Sequence, residues 1–332
     1  MTKLLSFEDM IRSMTKKPHL LLGNGFSMAY EKDRFSFTSL LESALKAEII
    51  TRDDFVYKVF EKLNTADFET VMKILDESRK ILEVYEGGKE LVEKIKKDSE
   101  QLKAHLITII TNNHPEKSTE VSDEKKEACV NFLKSFENIY TLNYDLLMYW
   151  ATMHDDSKIF TDGFGENDHS IHEGYVVYKN KHKMKVHYLH GGLHIFDAGS
   201  EIIKRTYSKT GVTLIGQIKE NLDKNIYPIF ISEGDSKQKI TKILHNSYLN
   251  HCYKSLRSIK GNLVILGTEL KRNDAHILDA IMESKIENIF IGVSTSDSIE
   301  HIKSIIVEYN TKNPESKKNI YLYDYKTVDI WG

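Results

Sequence analysis

Apolar residues fall along this chain in two rhythms. Short unbroken runs occur at His19-Leu20-Leu21-Leu22, Ile139 to Leu142, Pro228-Ile229-Phe230-Ile231, Leu263-Val264-Ile265-Leu266, Ile289-Phe290-Ile291 and Ile320-Tyr321-Leu322-Tyr323. Runs of this length, several of them ended by turn residues, suit strands buried on both faces. Between the runs, apolar residues recur every three or four positions. Leu40, Leu41, Ala44 and Leu45 form one such set, and Phe55, Val56, Val59, Phe60 and Leu63 a second. A third carries Phe68, Val71, Met72 and Leu75 from a start near Asp67, and a fourth Leu91, Val92, Ile95, Leu102, Leu106 and Ile110. Further sets are Val130 to Phe136, Ile240 to Leu256, Ile277 to Met282, and Ile299, Ile302 and Ile305-Ile306. Each predicts an amphipathic helix.

Alternation of strand and helix predicts βαβ units and a mainly parallel, Rossmann-like α/β sheet. Four helical patterns in succession exceed a simple crossover. They divide the chain into an α/β domain from 1–36 and 127–332 and an inserted helical subdomain over 37–126, ending in the polar stretch His114 to Lys126, which reads as an exposed connection. Gly174 to Tyr178 and Met184 to Leu189 flank the polar Lys179 to Lys183 and predict an antiparallel hairpin.

Composition narrows the class. The 332 residues suffice for one large or two moderate domains, and 40% hydrophobic with 29% charged residues and 4 prolines describes a folded chain. A formal charge of -3 supplies no whole-protein attraction to nucleic acid or anionic membrane, and neither is expected as a partner. No apolar run approaches the roughly 20 residues of a membrane span, and the acidic first ten residues do not resemble a secretory signal. Cys129 and Cys252 are far apart, so neither a disulfide framework nor a cysteine zinc site follows. A cytoplasmic protein is expected.

Candidate chemistry sits at strand ends, where open α/β sheets bind ligands. Gly23-Asn24-Gly25-Phe26-Ser27 follows the first run, with Met28 where a dinucleotide fingerprint would place a third glycine. Two glycines permit a tight turn and close approach of a phosphate, and Ser27 is suited to cap the next helix or bond a phosphate oxygen. Thr141-Leu142-Asn143-Tyr144-Asp145 places Asn143 and Asp145 at alternate positions past a strand, and Leu189-His190-Gly191-Gly192 puts a histidine before two glycines. Leu266-Gly267-Thr268 ends another strand, and Asn273-Asp274 opens a helix. Taken singly, each has an ordinary reading as a turn, a cap or a satisfied polar residue.

In this order the segments resemble the sirtuin-like nucleotide-binding proteins, most closely the bacterial group designated DUF4917. The resemblance implies NAD as substrate, with Gly23, Asn24, Gly25, Phe26 and Ser27 at the pyrophosphate and Gly267, Thr268 and Asp274 on the adenosine side. It implies that Asn143 contacts the nicotinamide ribose or the attacking water, that Asp145 braces its loop, and that His190, followed by Gly191, bonds the ribose hydroxyls and acts as general base. An NAD glycohydrolase is the activity implied, with a toxic or antiviral-defence role through NAD depletion. Other activities on such a scaffold are a non-catalytic NAD or ADP-ribose sensor regulating a partner and an ADP-ribosyl or acyl transferase. Sirtuin deacylases carry a four-cysteine zinc module that this chain cannot build, which disfavours deacylation. The extra helices offer surfaces for self-association or a regulatory protein.

No metal is expected. His187 and His190 would point to opposite faces of a strand, and Gly191-Gly192 breaks any helix that would align His190 with His194. The polar group Asp168, His169, His172 and Glu173 reads as a solvated loop.

Overall fold

A computed structural model describes residues 4–85, 88–165, 174–179, 183–206, 211–232, 236–270, 274–293 and 300–332. Its centre is a six-stranded parallel sheet: β1 (His19–Leu22), β2 (Ile139–Thr141), β4 (Val186–Tyr188), β7 (Lys260–Leu266), β8 (Lys285–Val293) and β9 (Asn319–Asp324), in the order β4-β2-β1-β7-β8-β9. A separate three-stranded antiparallel sheet is formed by β3 (Tyr175–Val177), β5 (Ile195–Asp197) and β6 (Ile202–Arg205). The helices are α1 (Phe7–Arg12), α2 (Gly25–Tyr30), α3 (Lys32–Phe35), α4 (Phe37–Lys46), α5 (Phe55–Leu63), α6 (Phe68–Val84), α7 (Lys89–Asn113), α8 (Asp123–Lys134), α9 (Leu147–His154), α10 (Leu214–Asp223), α11 (Ser236–His245), α12 (Ser247–Ser258), α13 (Ala275–Glu283) and α14 (Glu300–Lys312). The Rossmann-like α/β class expected from the alternation is the observed one, and among the described residues no helix is long and apolar enough to cross a membrane.

Winding direction locates the site. The chain leaves β1, steps through β2 to β4 on one side, and returns to β7 on the other. The carboxyl ends of β1 and β7 therefore flank the topological switch point, the place where such sheets open a crevice. Leu20, Leu21 and Leu22 on β1 are fully buried, and the apolar stripes of α5, α6 and α7 join the same buried cluster as the sheet.

Several sequence expectations are corrected. The proposed hairpin does not form: β3 pairs with β6, whereas β4 lies in the central sheet beside β2. Pro228 to Ile231 is not a strand, since only a single bridge, Gly191 to Phe230, joins it to another segment. The pattern from Ile240 to Leu256 is two helices, split at Asn246, whose side chain accepts from the Leu249 amide. Asp168, His169, His172, Glu173, Asn273 and Ile299 lie outside the described residues.

The stretch His114 to Lys126 begins in the core rather than at the surface. His114 is 4% exposed and packs edge-on against Phe35 and Trp150. Its Nδ1 donates to the Pro115 carbonyl at 3.0 Å and its Nε2 accepts from the Leu146 amide at 3.0 Å. That pattern requires the neutral ring, and burial pushes its pKa down to about 4. His187, stacked on Tyr140, is pushed down by burial to about 3, and His194, wholly buried against Tyr149 and Tyr188, lies well below 6.5 for the same reason.

These three rings make the fold acid-sensitive. Their folded values lie below the unfolded value near 6.5, so in acid the unfolded chain binds protons that the folded chain refuses. Each costs up to about 1.4 kcal/mol per pH unit as pH falls below the unfolded value. His194→Phe should therefore gain about 1 kcal/mol on wild type between pH ~6.5 and ~5.5 in urea unfolding. A difference that does not change with pH contradicts the assignment.

Candidate functional site

The two loops at the switch point are stitched together. The Gly23 amide donates to the Leu266 carbonyl at 2.9 Å, and the Gly25 amide to the Gly267 carbonyl at 2.9 Å. No side chain fits between them: a Cβ on Gly267 would stand 2.7 Å from Gly25 Cα, and one on Gly23 would stand 2.7 Å from the Gly267 carbonyl oxygen. Gly267 also has a φ of 73°, in the left-handed region that favours glycine. These glycines are thus explained by the approach of one loop to the other, a role that the spacing alone did not reveal.

From this junction α2 departs. Asn24 precedes it without a side-chain cap and donates instead to the Phe35 carbonyl at 3.0 Å. Phe26 turns into the core against Trp331, and Ser27 is buried inside the helix rather than capping it. Ser27 Oγ donates to Asp145 Oδ2 at 2.5 Å and accepts from Asn143 Nδ2 at 2.8 Å. The alternate spacing of Asn143 and Asp145 therefore does bring both onto one partner. Asp145 Oδ1 accepts from the Leu147 amide at 2.9 Å. Burial raises the Asp145 pKa, and the Ser27 and Leu147 bonds oppose that rise. One Asn143 amide proton is committed to Ser27, which fixes the plane of the group and leaves its oxygen and second proton for a ligand.

His190 is placed by the turn after β4. Gly191, at φ 83°, lies so close to Ile229 that a Cβ would overlap its backbone, and the Ile231 amide donates to the His190 carbonyl at 3.0 Å. The imidazole is 2% exposed, with Nε2 3.1 Å from His276 Nε2 and 3.9 Å from Asp274 Oδ1. Burial, then the Lys239 charge, holds His190 well below 6.5, and burial lowers His276 to about 4. Both rings are neutral near pH 7.

Beside them is a charged network that sequence reasoning missed. Asp67 caps α6, its Oδ1 accepting from the Glu69 amide at 3.0 Å and the Thr70 amide at 3.2 Å, which sets Glu69 in the first turn. Glu69 Oε2 and Asp274 Oδ1 receive Lys239 Nζ at 2.9 and 3.1 Å, while Tyr144 Oη lies 3.1 Å from Glu69 Oε1 and 2.8 Å from the Ile231 carbonyl. Burial raises the Glu69 pKa against the pull of Lys239. Burial also opposes the Lys239 charge, yet the two carboxylates hold its pKa above the ordinary lysine value. The one hint in the sequence is Lys239 itself, a charge four residues before Ile243 on the buried face of α11.

His190, Glu69, Asp274 and Tyr144 border one cavity of about 460 Å³, with His276 and Lys239 outside its lining. That volume falls in the usual range for small-molecule sites, roughly 300–1,000 Å³. Of the sequence candidates, Gly23, Asn24, Gly25, Asn143, Asp145, His190, Gly267, Thr268 and Asp274 line it. Phe26, Ser27 and Gly191 stand behind the wall and shape it. Phe37, Leu40, Leu106 and Ile110 from α4 and α7 supply an apolar side, and Glu69 a carboxylate, so the helices after α3 complete the cavity. His187, His190 and His194 do not converge: the first stacks on Tyr140 and the third lies between Tyr149 and Tyr188.

The junction makes a testable demand. Gly25→Ala would set a methyl group on the Gly267 backbone, where nothing flexible can yield. Overpacking of this kind costs about 1–3 kcal/mol. Urea unfolding should show that loss, and an unchanged midpoint would mean that the two turns are not in contact.

In a comparison with curated proteins nothing matches the chain. A model of the family described as Domain of unknown function (DUF4917) matches residues 20–331. The match spans both loops of the junction, every residue named around the cavity and the helices that close it, and the chain belongs to the DUF4917 family.

Proposed function

We propose that the cavity binds NAD and hydrolyses the bond between nicotinamide and ribose, as the sirtuin-like resemblance implies. The observation that carries this reading is convergence: Asn143, His190 and the paired glycine turns come from four strand ends far apart in sequence and border one cavity at the switch point. Hydrolysis passes through an oxocarbenium-like state as the cationic pyridinium leaves as neutral nicotinamide, so no acid is needed at the leaving group. Water adds to the ribose carbon and loses one proton.

The site then has three tasks. The ribose must be held, which suits Asn143, whose amide is fixed by Ser27. A group must take the proton of water, which suits the neutral His190 imidazole. Positive charge must be stabilised on the ribose, which suits Glu69 and also Asp274, two carboxylates sharing one lysine, the latter 3.9 Å from His190 and so assigned to the ribose rather than to the adenosine side that the resemblance implies. The glycine turns and Thr268 would face the pyrophosphate and adenosine. Loss of cellular NAD would make such an activity toxic, and a role in antiviral defence is the biological form of the proposal.

Purified protein incubated with NAD should release nicotinamide and ADP-ribose. Unchanged NAD with measurable binding would favour a sensor, and protein-linked ADP-ribose a transferase; either overturns the hydrolase. His190→Ala should lower turnover by roughly 10²–10⁴-fold, the usual range for a positioned acid–base group, at an unchanged melting temperature. Asn143→Ala should do similar damage, with a double variant costing less than the sum because both serve one step. Undiminished turnover in a folded His190→Ala protein would remove the histidine from the reaction.

A further inference from the structure

His190 arrives from the turn after β4, and Asp274 and His276 from the start of α13, so two independent segments deliver three donors to one point. Their ligand atoms all lie within 4.8 Å of one another, the two Nε2 atoms only 3.1 Å apart. In a tetrahedral zinc site, with bonds near 2.0–2.1 Å, neighbouring ligand atoms stand about 3.3–3.4 Å apart. The imidazole pair is therefore already at coordination spacing, and Asp274 Oδ1, 3.9 Å from His190 Nε2, must move inward to join it.

Two neutral imidazoles meeting through Nε2 need one of them to donate, so without an ion only one of the two Nε2 lone pairs is used in the contact. An ion between the rings uses both Nε2 lone pairs at once. Two imidazoles and one carboxylate form the donor set of zinc and its neighbours in the first transition row rather than of magnesium or calcium. His190 and Asp274 also line the cavity, so a fourth position faces its interior.

We propose that His190, His276 and Asp274 form a reversible site for a divalent transition-metal ion, zinc foremost, overlapping the centre of the cavity. Lys239 opposes the ion, because its ammonium already holds Asp274 Oδ1 at 3.1 Å. Zinc must compete with that contact, so the site is weaker than a structural one. Occupied, it takes the Nε2 lone pair of His190 and blocks proton transfer from water. This inhibitory consequence rests on the hydrolase reading, whereas binding itself does not.

The test titrates the untagged full chain, stripped with a chelator, with zinc chloride in a calorimeter near neutral pH, and with cobalt chloride under visible absorption. One ion per chain is expected. His276→Gln and Asp274→Asn should each weaken it at least tenfold, while His245→Gln on the surface leaves it unchanged. Cobalt should give the intense bands of a four-coordinate ion. No uptake, equal uptake by every variant, or a spectrum like that of aqueous cobalt each overturns the site, the last without depending on whether a variant folds. A chain that binds zinc at these residues but leaves NAD intact supports the site and overturns the hydrolase; turnover of NAD without zinc uptake does the reverse.

Discussion

Two turns lying directly on one another set the geometry of everything around the cavity. The loops after β1 and β7 exchange backbone hydrogen bonds across a gap too narrow for any side chain. Because the central sheet reverses its winding between these two strands, that contact lies at the mouth of the crevice. The carboxyl-terminal residues lock it from outside: Tyr325 Oη donates to the Gly25 carbonyl at 2.8 Å, and Trp331 Nε1 to the Phe26 carbonyl at 3.1 Å. Those carbonyls lie in the first turn of α2, so the end of the chain helps to hold Ser27 against Asn143 and Asp145.

Electrostatics of the cavity come largely from outside the strand-end motifs. Glu69 is delivered by the first turn of α6, where the Asp67 cap fixes its position, and Lys239 by α11. Burying a lysine with two carboxylates is costly unless each charge is hydrogen-bonded, and here each is. Such a network gives little net stability and is readily explained by a task at the site. It also ties the inserted helices to the sheet, since Tyr144, next to Asn143, meets Glu69 through its hydroxyl.

What was legible in the sequence follows from range. The runs at Leu20, Val264, Ile289 and Ile320 read correctly as strands because a fully buried strand needs only a short apolar stretch, and the helix beginning at Phe68 announced itself through its cap and stripe. Pairing was not legible: Val186 aligns with Ile139, 47 positions earlier in the chain, and no local signal separates that from a hairpin with Tyr175. Pro228 to Ile231 looks like a strand because it is apolar, but its burial comes from Phe230 stacking on Tyr144 at 3.7 Å. The burial of His114 was equally hidden, depending on Phe35 and Trp150 from remote segments. At the site, glycine and small polar residues at strand ends were the visible signal. Glu69, Lys239 and His276 ride on helices whose stripes read as ordinary core, and the burial of Phe26 and Ser27 was hidden because the direction a side chain takes at the start of a helix is set by its tertiary neighbours.

A crystal structure with a non-hydrolysable NAD analogue, its nicotinamide ribose intact, would show where the substrate lies in the cavity. That ribose should lie between Asn143 and His190, with Glu69 on the same side and the pyrophosphate against the paired glycine turns. An analogue bound elsewhere, or bound in the cavity with its ribose turned away from both residues, would contradict that placement.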